Sequence, residues 1–368
     1  MGKVYHYTSI RSFESIIKSQ NIRMTRSDFM NDPQDCRVFF DIVEKYINKK
    51  MNGDTDIFYR AGVQAEHIQY IRNLIEEHSI AGYMKYIYEN ISMYIFSLST
   101  EQDSLPMWNY YGGDGIRFAF EQDFIYEAIS RCLCTTPFEL TVCTKVEYIE
   151  ESTELSELTL NSFSDIKVMA AQQAPYRAEL RPASIMHKDG QNLEFFTDSY
   201  IKSCLKTIDY IINDEIFAGA YLEETLTGMS DDEFYKMIFY HNRKLNENVK
   251  LKFKADLDLY MLILASRYKI KTFENEAETR IVYLDYNLGK NEKEEYAAVE
   301  YGFGTIIKPF VSCVFGENGL NREIMGILLS PATRRLPLNL EKYKEMIRDF
   351  CGIGSDIDIH ISGHHVRW

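Results

Sequence analysis

Two periods run through the hydrophobic and polar positions of this chain, and each change of period marks an element. Lys3 to Tyr7 reads as a short strand, and Ile10, Phe13, Ile16 and Ile17 then share one helical face behind a capping Thr8 or Ser9. The chain re-extends through Ile22 and Met24. Phe29-Met30-Asn31-Asp32-Pro33 is turn chemistry, because Asn and Asp bond their own backbone and Pro33 restrains the residue before it. Val38, Phe39, Ile42, Val43, Tyr46 and Ile47 recur at helical spacing and predict a helix. After polar and helical stretches, Ile91 to Leu98 is a run of strand length, expected at the centre of a sheet with both faces buried. Ile116, Phe118 and Phe120 alternate with Arg117 and Ala119, and Val142, Thr144, Val146 and Tyr148 alternate with Cys143, Lys145 and Glu147, which predicts two more strands.

From about Glu150 to Lys254 the chain turns acidic and helical, apart from a loop-like basic stretch, Arg177 to Gln191, that contains Pro182 and Gly190. Strands return at Arg280 to Leu284, Ala297 to Tyr301, Ile324 to Leu329 and Asp356 to Ile361, with a helix near Leu340 to Phe350. The pattern predicts an α+β protein whose core is built from residues 1–150 and 255–368, with 151–254 as a helical insertion. No internal repeat or low-complexity tract interrupts it.

Composition narrows the classes. The 368 residues suffice for a sizeable core, and 45% hydrophobic with 26% charged residues is globular rather than disordered. With 41 Lys plus Arg against 55 Asp plus Glu, the formal charge of -14 opposes broad phosphate attraction, so nucleic acid is not favoured as a partner. Arg177, Arg181 and Lys188 are the residues from which a local basic patch would be built. Seven scattered cysteines without a CxxC or zinc spacing fit free thiols in a reducing cytoplasm. The longest apolar run, Leu259 to Ala265, is far below the ~18 residues of a membrane span.

Several chemistries fail on inspection. Gly302 and Gly304 lack a third glycine, Gly289-Lys290-Asn291 lacks the Ser or Thr of a phosphate loop, and no G-x-S-x-G elbow occurs. His360, His364 and His365 straddle Ser362-Gly363 with no accompanying HExxH, so exposed imidazoles at a strand end are preferred to a metal site.

Three segments carry candidate chemistry. Tyr5-His6-Tyr7-Thr8-Ser9 puts a histidine on a strand just before a helix, where one ring nitrogen can hold a sugar hydroxyl while the backbone fixes the other; a packed histidine is the competing reading. Ser97-Leu98-Ser99 with Met107-Trp108-Asn109-Tyr110-Tyr111 combines hydroxyls with a stacking surface, although Trp108 and Tyr111, three apart, also suit core anchors. In Phe273 to Tyr283, a strand already running at Glu276 would put Glu276, Glu278 and Arg280 on one face, where paired carboxylates oppose developing positive charge. The bland alternative is a strand start with Glu278 salt-bridged to Arg280.

Taken together, YHYTS, FMNDP, FSLS, MWNYY with GIRFAF, EAETRIVY, EIMGILLSP and IDIHISGHHVR resemble the family known as domain of unknown function 2971 over most of the chain, with no matching motif between about Glu150 and Lys254. More distantly, the order of histidine strand, helix, central aromatic or hydroxyl element and late glutamate strand resembles the ADP-ribosyltransferase superfamily. That resemblance implies a split, mostly antiparallel sheet around a cleft and NAD as substrate. His6 with Tyr7, Thr8 and Ser97 would bind NAD, Tyr111 or Trp108 would stack on nicotinamide, Glu278 would promote glycosidic cleavage, and Glu276 would orient the acceptor. Tyr7 stands where the superfamily usually has glycine. The expected function is an NAD-consuming ADP-ribosyltransferase or NAD glycohydrolase of the bacterial intracellular defence or toxin type, acting on an unidentified macromolecule. The alternative is a noncatalytic nucleotide- or partner-binding module.

Overall fold

The computed structural model describes residues 2–32, 34–135, 139–158, 166–170, 193–213, 228–248, 257–285, 300–303, 307–316, 319–335, 339–354 and 357–364. Strand β1 (Lys3–Thr8) leads into helix α1 (Ile10–Ser19), whose N-cap is Ser9, its hydroxyl accepting from Ser12 N at 3.2 Å. Phe13 and Ile17 form the buried stripe of α1, and β2 (Asn21–Arg26) follows. Helices α2 (Val38–Gly53), α3 (Asp56–Ala61), α4 (Ile68–His78) and α5 (Ile80–Asn90) precede β3 (Ser92–Ser99); short helices α6 (Leu105–Met107) and α11 (Gly319–Glu323) come later in the chain.

β3 is the axis of the sheet. Along one edge it pairs over its full length, Ser92 to Ser99, with β9 (Glu278–Asp285), antiparallel. β9 continues to β5 (Glu139–Lys145), which is flanked in turn by β7 (Lys167–Ala170). On its other edge β3 is shared: β2 meets it at Ile95 and Tyr94, and β1 meets it only at Tyr5↔Ser99. These registers leave Phe96, Ser97 and Leu98 without a strand partner on that edge, so the sheet divides there. Outward from β2 lie β11 (Ile307–Val314) and β10 (Glu300–Phe303); outward from β1 lie β4 (Ile116–Glu121), β12 (Ile324–Leu329) and β13 (Asp358–Ile361). Among the described residues, only β12–β13 in this sheet is parallel. A separate parallel pair joins β6 (Glu147–Ile149) to β8 (Tyr268–Ile270).

Alternation along β3 feeds two cores, as the reading of a doubly buried strand requires. Met93 and Ile95 pack on one side with α2, α3, α5, α8 (Leu193–Asn213), α9 (Asp231–Asn248) and α10 (Leu257–Ala265). Tyr94, Phe96 and Leu98 pack on the other with α1, α7 (Gln122–Leu133) and α12 (Leu340–Cys351). Burying each such side chain is worth about 1.5–3 kcal/mol, so the sheet is held from both faces. The apolar run at Leu259 is α10, buried all round, and no helix among the described residues is long and apolar enough to cross a membrane.

The α+β class and the mostly antiparallel sheet agree with the sequence pattern. Three details differ from it. The strand expected across Val142 to Tyr148 is two, because Val146 N bonds Glu278 O at 2.9 Å and Glu147 N bonds Arg267 O at 2.8 Å, carrying the chain into the second sheet. Glu276 lies at the end of a 3-10 turn, Lys271–Glu276, and β9 starts only at Glu278. Within 151–254, β7 extends the main sheet while α8 and α9 share one core with α2, α3 and α5. Residues 177, 181 and 188 lie outside the described residues.

The turn entering β4 is pressed against the end of β1. A Cβ built on Gly115 would lie 2.0 Å from Thr8 O and 2.7 Å from both Gly112 O and Ser9 Cα, all backbone atoms. Gly115→Ala is expected to destabilise the protein by roughly 1–3 kcal/mol or more, seen as a lower urea midpoint. An unchanged midpoint would mean that this approach is not part of the folded state.

Candidate active site

The division of the sheet opens a cavity of about 510 Å³, within the usual range for a small-molecule site. Tyr5, His6 and Tyr7 of β1, Arg23 and Thr25 of β2, and Ile95 to Leu98 of β3 line it. Met30, Asn31, Asp32 and Asp35 close one side, and Met107, Tyr110, Tyr111, Lys269, Phe273, Glu276 and Glu278 close another. All three candidate segments therefore reach one cavity.

His6 Nδ1 is 3.4 Å from Ser97 O, a carbonyl in the stretch that neither β1 nor β2 pairs. A carbonyl only accepts, so Nδ1 carries the hydrogen and Nε2 is left as an acceptor. Burial disfavours the imidazolium and lowers the pKa to about 4, so the ring is neutral at physiological pH. Its ring centroid lies 4.9 Å from that of Phe96.

The acidic wall is a buried ion network. Arg280 is 0% exposed and grips Glu278 through two parallel bonds, Nε–Oε1 and Nη2–Oε2, each 2.9 Å. The same guanidinium meets Asp35 Oδ1 at 2.7 Å and donates to Ser266 O at 3.1 Å. Lys269 reaches Glu276 at 2.7 Å, Glu278 at 3.3 Å and Asp35 at 3.8 Å. Three carboxylates thus face two cations. Burial pushes the Glu278 carboxyl up, but Arg280 and Lys269 outweigh it and hold it well below the usual carboxylate range.

Glu276 enters by a different route from the one its sequence position predicts. Ala277 takes a left-handed conformation, φ 43°, which breaks the period-two alternation and turns Glu276 back toward β8. Its other oxygen accepts from Tyr111 Oη at 2.6 Å. Burial and the Glu276 charge together push the Tyr111 phenol far up, so it remains a donor. Tyr110 and Tyr111 both reach the cavity because Trp108–Gly112 is a π-type turn, closed by Gly113 N to Trp108 O at 2.6 Å.

Two proposed nucleotide contacts do not line the cavity. Trp108 is 1% exposed, packed with Tyr5, Tyr7, Met107 and Leu328, and donates from Nε1 to Asp103 at 2.8 Å. Thr8 is buried at the end of β1, opposite Ile116. Tyr7 lines the cavity, but its hydroxyl donates to Glu101 O at 2.9 Å and accepts from Ser104 N at 3.0 Å, which anchors the loop ahead of Trp108.

Sequence reasoning missed Asp32, Asp35 and Lys269. The Asn-Asp-Pro turn was the available signal: Asp32 accepts from Gln34 N at 2.9 Å and from Asp35 N at 3.1 Å, and that turn delivers Asp35 to Arg280. Asp32 Oδ2 is buried in the cavity wall and has no hydrogen-bond partner among the described residues. Lys269 comes from β8, a three-residue strand too short to signal itself. Among the described residues no group of three or more His, Cys, Asp or Glu is arranged to hold a metal ion.

His6 sets a pH dependence. The unfolded ring takes a proton near 6.5 and the folded one only near 4, so stability is lost as pH falls through this window. The melting temperature of His6→Gln should fall less than that of the parent between about pH 7 and about pH 5; equal falls would assign the titration to another group. Comparison of the chain with family models, with curated proteins and with solved structures finds no match to any of them.

Proposed function

We propose that the cavity binds NAD and that the protein is an ADP-ribosyltransferase-like enzyme, cleaving the nicotinamide–ribose bond and passing ADP-ribose to an unidentified macromolecule. The observation that carries this reading is that His6 and Glu278, far apart in sequence, line the same cavity at the division of the sheet. The family resemblance of the motifs supports it.

In this reading the neutral His6 ring accepts a hydrogen bond from a ribose hydroxyl, while Ser97 O fixes its orientation. Nicotinamide leaves with the electron pair of the glycosidic bond, and positive charge develops on the ribose. The ionised Glu278, held in place by Arg280, stabilises that charge in the transition state. An acceptor nucleophile then bonds to the ribose carbon and gives up its proton to solvent, and Glu276 orients it beside Tyr111.

One observation favours the second reading, a module that binds a nucleotide without cleaving it. Both Glu278 oxygens are already engaged by Arg280, and Lys269 adds a second cation to the same carboxylate, so much of its field is compensated before any ligand arrives. Tight NAD binding with no nicotinamide release would establish that reading.

Glu278→Gln preserves shape and removes the charge. NAD affinity should change little, whereas nicotinamide release should fall by roughly a hundredfold or more. Undiminished release by the folded variant would make this glutamate structural. Glu276→Gln should reduce transfer to a macromolecule more than hydrolysis of NAD, because hydrolysis needs only water; equal losses would remove the acceptor role. Circular dichroism melts must accompany both variants, since leaving one partner of a buried ion pair uncompensated costs about 3–5 kcal/mol.

A further inference from the structure

The cavity has two chemically different walls. Asp35, Glu276 and Glu278 give the inner wall its excess of carboxylate, while the wall formed by β2, which β11 flanks, offers a cation and hydrogen-bond donors. Arg23 and Thr25 line the cavity and, two apart on β2, share one face. Their register partners on β11 are Ser312 and Phe310. The Arg23 guanidinium lies over the buried Phe310 ring, 4.4 Å from its centroid, which supports its flat face. No ion pair of Arg23 occurs among the described residues, whereas Arg26, three positions on, is paired with Asp28. Lys308, two residues before Phe310 on the same face of β11, donates to Asn31 Oδ1 at 3.0 Å. That bond turns the Asn31 amide so that its NH2 edge faces away from the ammonium, and Asn31 also lines the cavity.

We propose that this wall is a subsite for the phosphate groups of a nucleotide, with Arg23 as its anchor and Thr25 and Asn31 as neutral donors. A guanidinium held flat by a ring and without a carboxylate partner presents its N–H fork to a dianionic group, the geometry in which arginine binds phosphate best. Phosphates are repelled from the inner wall, where Asp35, Glu276 and Glu278 outnumber Lys269 and Arg280. The two walls together orient the ligand, its phosphates on β2 and its sugar toward His6. The proposal rests on the nucleotide reading above for what lies beyond the phosphates.

Calorimetric titration of the full chain and of Arg23→Gln and Arg23→Lys, each with NAD, ADP and nicotinamide riboside, tests it. In Arg23→Gln the affinities for NAD and ADP should drop about tenfold to a hundredfold, the loss expected for one charge-assisted bond, with riboside binding unchanged. Arg23→Lys should lose less, and added salt should weaken ADP binding more in the parent than in Arg23→Gln. Arg23 is exposed, so the variants should melt with the parent. Parental NAD and ADP affinity in Arg23→Gln, or an equal loss for riboside, would overturn the subsite without touching the NAD reading. A parent that binds ADP through Arg23 but ignores NAD would support the subsite and overturn that reading, and a parent that binds no phosphate compound would overturn both.

Discussion

A guanidinium withdrawn completely from water has to be surrounded by acceptors, because the desolvation penalty of an isolated ion is several kcal/mol even after relaxation. Arg280 is in that position, and the acceptors it requires come from three elements: Asp35 after the Asn-Asp-Pro turn, Glu278 from its own strand, and Ser266 O from the turn between α10 and β8. Satisfying one side chain therefore docks the turn, the central strand and the second sheet against each other. The cost of the arrangement appears in the backbone, where Cys36 and Ala277, beside Asp35 and between the two glutamates, both take left-handed conformations. Such strain persists only where the surroundings over-determine it, and here the ion network does so.

The second sheet exists for the same reason. β6 and β8 are three residues each and bury too little apolar surface to stand alone. They place Lys269 among three carboxylates, and they place Tyr148, whose hydroxyl accepts from Glu278 N at 2.9 Å. The first residue of β9 is thus fixed from both its backbone and its carboxylate, which makes Glu278 rigid whatever chemistry it performs.

How much of this was legible in the sequence follows from what each element had to say locally. β3 declared itself as a run of strand length suited to two buried faces, β4 by apolar alternation and α1 by its cap and its apolar stripe, so the class and the centre of the sheet followed. His6, Glu276, Glu278 and Tyr111 stood out because their residue types on a strand or beside a turn already imply chemistry. Lys269 and Asp35 did not, since each acquires its role only from a partner far away in the chain. Glu276 shows the limit from the other direction. The period-two argument put it on the face of Glu278 and Arg280, the strand turned out to start later, and the carboxylate reaches the network through the Ala277 turn instead. Trp108 was conspicuous by rarity, yet a large ring with one donor is also what an apolar cluster with one acceptor, Asp103, can accommodate.

The place of the cavity follows from sheet geometry. β3 can bond only one strand at each point along an edge, and β1 and β2 take opposite ends of the same edge. Adjacent strands lie about 4.8 Å apart, so two strands that leave a common neighbour at different points diverge, and the residues between lose their partners. Buried carbonyls without donors are costly, and the His6 ring meets the carbonyl of Ser97 in that stretch. The histidine is accordingly part of what makes the division of the sheet tolerable, and its neutral form is the one that performs this role while keeping Nε2 free to accept. Glu278 stands opposite Ser99 on the fully paired edge of the same strand, so β3 separates the histidine side of the cavity from the carboxylate side. His6 itself rides on β1, which meets β3 at Tyr5↔Ser99 and through the ring bond to Ser97 O, so a ligand that bridges His6 and Glu278 is referred to the same doubly buried strand from both sides.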